Sequence, residues 1–244
     1  MQVWKDKIAL VTGASSGIGR ATAKRLAEAG MRVYACARRR EPLDALAAEV
    51  DGIHPATVDI RDEAAVTALF AEIEAAGGAS VLVNNAGLGH AAPLMSGATD
   101  AWREMLEVNV LALCVCTREA VKQMRAHGDV GHVIHISSMA AHRVPPGSGV
   151  YSATKFAVRS LTEGLRQELR AAESHIRVTA ISPGFVETGF AAHYHQSQAA
   201  AQKTYGRYPC IQSSEVADAV VYALSQPAHV QIHDLLMRPT QQSH

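Results

Sequence analysis

The sequence predicts an α/β protein built on a doubly wound sheet of parallel strands. Short runs of apolar and β-branched residues alternate with longer segments in which apolar residues recur at helical spacing. The predicted strands are apolar almost throughout, which suits a parallel sheet that helices cover on both faces. A regular alternation of strand and helix from the first residues onward is typical of the doubly wound class.

The predicted strands and helices alternate along the chain. The strands share an apolar, β-branched character and span 8–11, 32–37, 53–59, 81–84, 132–137, 176–182 and 230–237. The helices share a helical apolar period and span 18–29, 42–50, 63–76, 101–127, 151–172 and 215–224.

Two segments interrupt this alternation of strands and helices. Residues 140–149 contain two prolines and two glycines, so we expect a loop that leads the chain to Tyr151. Residues 185–214 form a long stretch rich in alanine, glutamine and aromatic residues. Long segments of this kind often act as lids, so we expect 185–214 to be a substrate-binding loop, with His142 and His193 as candidate neighbours of the substrate.

The composition favours one domain over residues 1–244 with a small-molecule partner. Acidic and basic residues are equal in number, 23 each, so no charge excess favours nucleic acid or an anionic membrane. The first seven residues lack the apolar core of a leader peptide, and no apolar stretch approaches the length of a membrane span. We therefore expect a cytoplasmic protein. Its four cysteines lack metal-site spacing, its paired histidines lack a third ligand, and we expect no metal site.

A glycine-rich turn follows the first predicted strand. It runs from Thr12 to Gly19, and the predicted helix begins within it. Glycines permit a tight turn and close approach of phosphates, while the free amides of a helix start donate hydrogen bonds to them. The candidate contacts for a dinucleotide are Gly13, Ser15, Ser16, Gly17, Ile18 and Gly19. A turn that needs glycine only for its own geometry is the alternative interpretation.

The end of the second predicted strand bears on the choice of dinucleotide. An acidic residue at this place binds the ribose hydroxyls of NAD, whereas an arginine accommodates the 2'-phosphate of NADP. Here the strand is followed by Arg38, Arg39 and Arg40. The sequence therefore favours NADP(H) over NAD(H), with Arg38 and Arg39 as phosphate ligands; a solvated basic loop is the alternative.

Tyr151 and Lys155 lie four residues apart at the start of a predicted helix, so both side chains share one face. A phenol titrates near ~10, and a neighbouring cation lowers that value, so the pair could transfer protons. Spacing alone is also compatible with a solvated surface pair.

Asn109 lies in a helix segment that is apolar almost all round, where a side-chain amide needs hydrogen-bonding partners.

Taken together, these motifs resemble those of the short-chain dehydrogenase/reductase family over essentially the whole chain. The matching positions are Thr12 to Gly19, Asp59, Asn84 to Gly87, Asn109, Ser138, Tyr151, Lys155, Pro183, Gly184 and Thr188. The resemblance implies a single-domain Rossmann-like sheet of about seven parallel strands. It also narrows to a branch of keto-steroid and carbonyl reductases and insect farnesol dehydrogenases, which suggests a fairly apolar substrate.

The resemblance also implies a role for each position. Tyr151 would be the general acid/base, Lys155 would lower its pKa and hold the nicotinamide ribose, and Ser138 would bind the substrate oxygen. Asn109 would link to the lysine through water; a packing role is the alternative. The remaining cofactor contacts implied are Asp59, Ile60, Asn85, Ala86, Gly87, Pro183, Gly184, Val186 and Thr188.

Some questions stay open at this point. A cofactor-binding redox sensor or scaffold without turnover, or a reductase of small polar carbonyls, would share much of this sequence pattern. The predicted helix 101–127 is apolar on more than its sheet-facing side. Because such a helix must be covered on both sides, we expect a homodimer or homotetramer.

Overall fold

Seven parallel strands form one sheet in the computed structural model, which describes residues 1–243. The spatial order is β3-β2-β1-β4-β5-β6-β7. The strands are β1 (Ile8–Thr12), β2 (Arg32–Ala37), β3 (Ile53–Thr57), β4 (Ala79–Asn84), β5 (His132–Ile136), β6 (Arg177–Pro183) and β7 (Asp234–Met237).

Helices connect these strands and cover both faces of the sheet, which confirms the predicted Rossmann-like class. They are α1 (Gly17–Glu28), α2 (Arg40–Glu49), α3 (Glu63–Ala75), α4 (Thr99–Leu106), α5 (Ala112–Ala126), α6 (Gly149–Ala171), α7 (Phe190–His195), α8 (Gln198–Tyr205) and α9 (Ser213–Ser225).

Each face of the sheet has its own apolar core, and consecutive strand residues contribute to opposite cores. Val11 of β1 packs in the core that includes Leu26 of α1 and Val220 of α9. Its neighbour Leu10 packs in the other core, with Phe70 of α3 and Met124 of α5. Because both faces are buried, the strands need apolar residues at every position, which explains their continuous apolar runs.

The strand order reverses between β1 and β4. From β1 the chain adds β2 and β3 on one side, then returns to place β4 and its successors on the other. In open α/β sheets, a crevice forms where the strands diverge in this way, beyond their carboxyl ends. The turns after β1, β4, β5 and β6 therefore meet at one site.

The helix predicted over 101–127 is present without a break over residues 99–126, but it is not α-helical throughout. Helix α4 begins at Thr99, and a π-helical turn, Glu107–Leu111, separates it from α5. Val108 and Asn109 are buried in this turn, whereas Leu111 is 61% exposed.

The segment 185–214 is also more ordered than predicted. It contains two short helices, α7 and α8, in place of a loop without regular structure. Ser197 caps α8, since its Oγ accepts a hydrogen bond from the Ala200 amide at 3.2 Å. The last strand is shorter than predicted and spans only Asp234–Met237. Within residues 1–243, no helix combines the length and apolarity that crossing a bilayer requires.

Candidate active site

A cleft of about 900 Å³ opens at the carboxyl ends of the strands. All the site residues predicted from the sequence line it except Gly19 and Asn109, which lie behind its wall. The cleft runs from the arginines that follow β2, past the glycine-rich turn, to the aromatic side chains of α7 and α8. Its extended shape and polar end suit a dinucleotide, with space for a second molecule at the aromatic end.

The glycine-rich turn after β1 is packed tightly against the end of β4. Gly13 has φ of +68° and Gly17 of +52°, which L side chains rarely adopt. A Cβ at Gly19 would overlap the Gly13 carbonyl and the Asn85 side chain. Thr12 Oγ1 accepts hydrogen bonds from the amides of Asn85 and Ala86, each at 3.0 Å. Thr12 thus joins the two loops, a function the sequence analysis did not assign to it.

The adenosine end of the cleft, as the resemblance would place it, carries several cations. Arg38 and Arg39 are exposed there, and Arg39 Nη2 donates to Ser15 Oγ at 3.2 Å. Asp59 is bound by Arg61, whose Nη2 lies 2.6 Å from Asp59 Oδ2. These hydrogen bonds from Arg61 hold the pKa of Asp59 below its ordinary value, against the opposing effect of burial. Arg61 also lines the cleft and was missed by the sequence analysis.

Tyr151 and Lys155 meet at the centre of the cleft. Both lie in the first turns of α6, and Lys155 is 6% exposed. Lys155 Nζ donates to the Ile136 carbonyl at 3.0 Å and lies 6.0 Å from the centroid of the Tyr151 ring. Burial lowers the pKa of Lys155 to about 8.

The pKa of Tyr151 corrects an expectation. Lys155 was expected to lower it, but burial raises the pKa of Tyr151 to about 12. A hydrogen bond with Ser138 acts in the opposite direction and is outweighed. The ammonium of Lys155 is directed to the Ile136 carbonyl, so burial dominates the titration of the phenol in the protein alone.

Ser138 and Ser137 follow β5 and differ in their surroundings. Ser138 Oγ accepts a hydrogen bond from the Ala140 amide at 3.0 Å and caps a short 3₁₀ turn, Met139–Ala141. Ser137 is 3% exposed, and its Oγ has no hydrogen-bond partner among the described residues. Of the two, Ser138 is the serine that interacts with Tyr151.

Asn109 has its side-chain amide satisfied by neighbouring protein groups. Its Oδ1 accepts from the Leu88 amide at 2.9 Å, and its Nδ2 donates to the Leu88 carbonyl at 2.8 Å and to Thr154 Oγ1 at 3.0 Å. A Cβ built on Gly87 would lie 3.4 Å from Asn109 Oδ1 and 3.5 Å from Lys155 Nζ. The side chain of Asn109 therefore holds Leu88 in place near the lysine, and the water-mediated link to Lys155 stays a prediction.

Helix α7 packs on the ring of Tyr151. The Tyr151 ring lies 5.3 Å from that of Phe190 and 6.2 Å from that of Tyr194, measured between centroids. The aromatic residues of the lid that line the cleft are Phe185, Phe190, Tyr194 and Tyr205. His193 lines it too, whereas His142 lies outside it, with its Nε2 3.0 Å from Asp234 Oδ2. Among residues 1–243, no cluster of three or more His, Cys, Asp or Glu side chains could hold a metal ion.

Comparisons with known proteins give a consistent family. The model of the short chain dehydrogenase family matches residues 7–199. Human dehydrogenase/reductase SDR family member 11 is 48% identical, over 99% of this chain and 97% of its own length. Farnesol dehydrogenase of Aedes aegypti is 39% identical, over 98% of each chain. The closed form of a serine dehydrogenase complexed with NADP+ superposes with a TM-score of 0.92 at 35% identity, covering 97% of this chain and 96% of its own.

Proposed function

Because the chain belongs to the short-chain dehydrogenase family, we propose that it is an NADP(H)-dependent oxidoreductase acting on the carbonyl or alcohol of a fairly apolar substrate. One observation carries the proposal: Tyr151, Ser138 and Lys155 open on the same cleft as the glycine-rich turn after β1. A proton donor and a dinucleotide cradle thus share one space. When bound, NADPH supplies the hydride.

The proposed proton donor is Tyr151. Since burial raises its pKa to about 12, the phenol is protonated at neutral pH and can donate to a carbonyl oxygen. Ser138, which interacts with the same hydroxyl, would donate a second hydrogen bond to that oxygen and stabilise the charge that develops on it. In the reverse direction the phenolate would be required, and the high pKa makes it scarce.

Arg38 and Arg39 support the choice of NADP(H). They stand where an acidic residue would contact the ribose of NAD, and Arg39 is held against Ser15 of the glycine-rich turn. The carboxylate of Asp59 lies two residues beyond β3 and is bound by Arg61, and its charge also interacts with that of Arg38. The serine dehydrogenase that superposes on this chain was solved with NADP+, which agrees with this assignment.

The aromatic end of the cleft supports an apolar substrate. Phe185, Phe190, Tyr194 and Tyr205 face it from the lid, and Leu88 and Met139 line it from the opposite side. A substrate such as a keto-steroid or an isoprenoid alcohol would bury its apolar surface there. The likeness to a farnesol dehydrogenase fits the same substrate class.

The test is NADPH oxidation against steroids, isoprenoids, diketones and sugars, repeated with NADH. We expect Tyr151→Phe to lower kcat by at least ~100-fold, because the general acid is lost. Tyr222→Phe is the matched control, since Tyr222 is exposed on α9 and lies outside the cleft. Full activity of Tyr151→Phe would refute the mechanism. Cofactor binding without turnover of any compound would favour a sensor or scaffold.

We also propose that the chain forms a homodimer or homotetramer. Leu106 is 50% exposed and Leu111 is 61% exposed, at the end of α4 and in the π-helical turn. Phe156 of α6 is 40% exposed. Large apolar side chains exposed on helices are typical of surfaces that another chain covers.

A further inference from the structure

A histidine–glutamate pair connects the loop after β4 to helix α4. His90 Nε2 lies 2.7 Å from Glu104 Oε2, and the two side chains are 13% and 30% exposed. The backbone amide of His90 also donates to Met105 Sδ at 3.4 Å. His90 is therefore fixed to α4 through both its side chain and its backbone, although it does not itself line the cleft.

The same loop makes successive contacts with the lid helix α7. A Cβ at Gly89 would lie 2.8 Å from Tyr194 Cδ2, the His90 ring lies 5.1 Å from the His193 ring, and the Ala91 amide donates to the Tyr194 carbonyl at 3.1 Å. Helix α7 has only six residues. A helix that short is not stable alone in water, so its position depends on such contacts.

We propose that the Glu104–His90 pair is a positioning device, which sets α7 over Tyr151 and so determines the affinity for the carbonyl substrate. His90 holds the His193 ring at the edge of the cleft, and the adjoining backbone contact holds Tyr194. Phe190 and Tyr194, one helical turn apart, then pack on the catalytic ring. The part concerning substrate affinity rests on the proposed function; the part concerning the position of α7 does not.

The effect of the Glu104–His90 pair on α7 can be tested separately from cofactor binding, because of the charged residues around the pair. Glu104 Oε1 lies 3.8 Å from Arg61 Nη1, and Arg61 is also bound to Asp59 at 2.6 Å. On α4, Asp100 and Arg103 pair with each other. Replacing His90 leaves the contacts of Arg61 with Asp59 and Glu104 in place. A change at His90 should therefore act on the lid and leave NADPH affinity unaltered.

The chain provides a matched control. His127 Nε2 lies 2.8 Å from Glu74 Oε1, which is the same pair of residue types at a similar distance. It joins the ends of α3 and α5, far from the cleft lining. His127→Ala therefore removes the same type of interaction, at a more exposed position and without contact to α7.

The experiment compares His90→Ala, His90→Gln and His127→Ala. In the ligand-free protein, we expect amide hydrogen exchange in residues 190–197 to be about tenfold faster in His90→Ala, because a charged hydrogen bond is lost. In steady-state assays, KM for the carbonyl substrate should rise about tenfold, with kcat changed less than ~2-fold and NADPH affinity unchanged. His90→Gln, which can still donate to Glu104, should restore both values toward wild type, and His127→Ala should change neither.

Each outcome tests a separate part of the proposal. Unchanged exchange in His90→Ala would overturn the positioning role, and faster exchange with an unchanged KM would overturn the effect on substrate affinity. If His90→Ala does not fold, His90→Phe, which keeps a ring but cannot donate to Glu104 and leaves the Glu104–Arg61 contact in place, provides the same comparison against His127→Phe. If no carbonyl compound is reduced even by the unaltered chain, the proposed function fails, while hydrogen exchange still decides the position of α7.

Discussion

Burial shifts the pKa values of Tyr151 and Lys155 in opposite directions. Burial penalises whichever form is charged, so it raises the pKa of the phenol to about 12 and lowers that of the ammonium to about 8. At neutral pH the tyrosine is therefore a protonated acid, and the lysine still carries most of its charge. This protonation state suits the proposed reduction of a carbonyl, in which Tyr151 donates its proton.

The pH dependence of reduction follows from these two values. Above pH about 8 Lys155 loses its proton, while Tyr151 stays protonated up to about 12. We expect kcat/KM for carbonyl reduction to be level from pH 6 to about 8 and then to fall about tenfold per pH unit. Initial rates at low substrate from pH 6 to 10 measure this. A profile that stays level to pH 10 would show that the charge on Lys155 is not needed.

At Gly19, the absence of a side chain is a requirement of packing. The alanine Cβ in Gly19→Ala would overlap the Gly13 carbonyl and the Asn85 side chain. We expect a loss of about 1–3 kcal/mol in the free energy of unfolding, together with weaker NADPH binding. Gly164→Ala is the control, because nothing lies within 4 Å of that Cβ in the middle of α6. That change should stabilise the protein by up to ~1 kcal/mol in urea unfolding.

At the scale of elements, the sequence anticipated every strand and the helix that carries Tyr151 and Lys155. Their patterns are local, since an apolar run or a spacing of four depends on adjacent residues only. The π-helical turn around Asn109 was not predictable, because its residues continue the apolar pattern of an ordinary helix. Helix α8 could have been found, since Ser197 precedes a run of alanine, glutamine and lysine, all strong helix formers.

Two buried histidines make strand β5 sensitive to acid. His135 bonds Thr117 and Thr162 through its two ring nitrogens, and His132 bonds Thr179. Burial lowers the pKa of each histidine to about 3. The unfolded chain takes up protons near pH ~6.5, so the stabilisation is fully present above that pH and is lost as the pH falls toward 3.

The change in the free energy of unfolding with pH tests whether the buried histidines are neutral in the folded protein. Below pH ~6.5, each histidine should lower the free energy of unfolding by up to ~1.4 kcal/mol per pH unit. Urea unfolding between pH 7 and pH 4 should show a shallower slope for His135→Gln than for the unaltered chain. Equal slopes would mean that His135 is protonated in the folded protein as well.

At the scale of the whole molecule, the topology brings the site together. Thr12, Asn85, Ser138 and Pro183 follow or end four different strands, and they meet because all seven strands run in the same direction. The sequence did not predict that Arg61 and Leu88 line the cleft. Arg61 is placed there by its ion pair with Asp59 and Leu88 by its backbone contact with Asn109, and neither contact follows from a sequence pattern. The cleft thus depends on the order of the strands as much as on the residues that line it.

The assembly of chains is testable at the same scale. Each chain has a mass of 26.0 kDa, so light scattering at micromolar concentration should give two or four times that value. Leu111→Glu should reduce the mass to that of one chain, because it places a charge on the exposed apolar surface. Val3→Glu, at another exposed apolar position outside the helices named above, is the control. A mass of one chain for the unaltered protein would refute the oligomer.

The π-helical turn at Glu107–Leu111 limits how this chain can change in length. Such a turn holds one residue more than an α-helical turn, and each residue rotates a helix by about 100°. Deleting one residue there would let the turn become α-helical with α5 kept in register and Met124 still in the core, but it would displace Asn109 from Leu88. A deletion within the turn is therefore confined to the contacts of Asn109, whereas a deletion within α5 itself would rotate the rest of that helix by about 100°. Library designs that vary loop lengths should therefore leave this segment intact and place insertions at an exposed position such as Gly77.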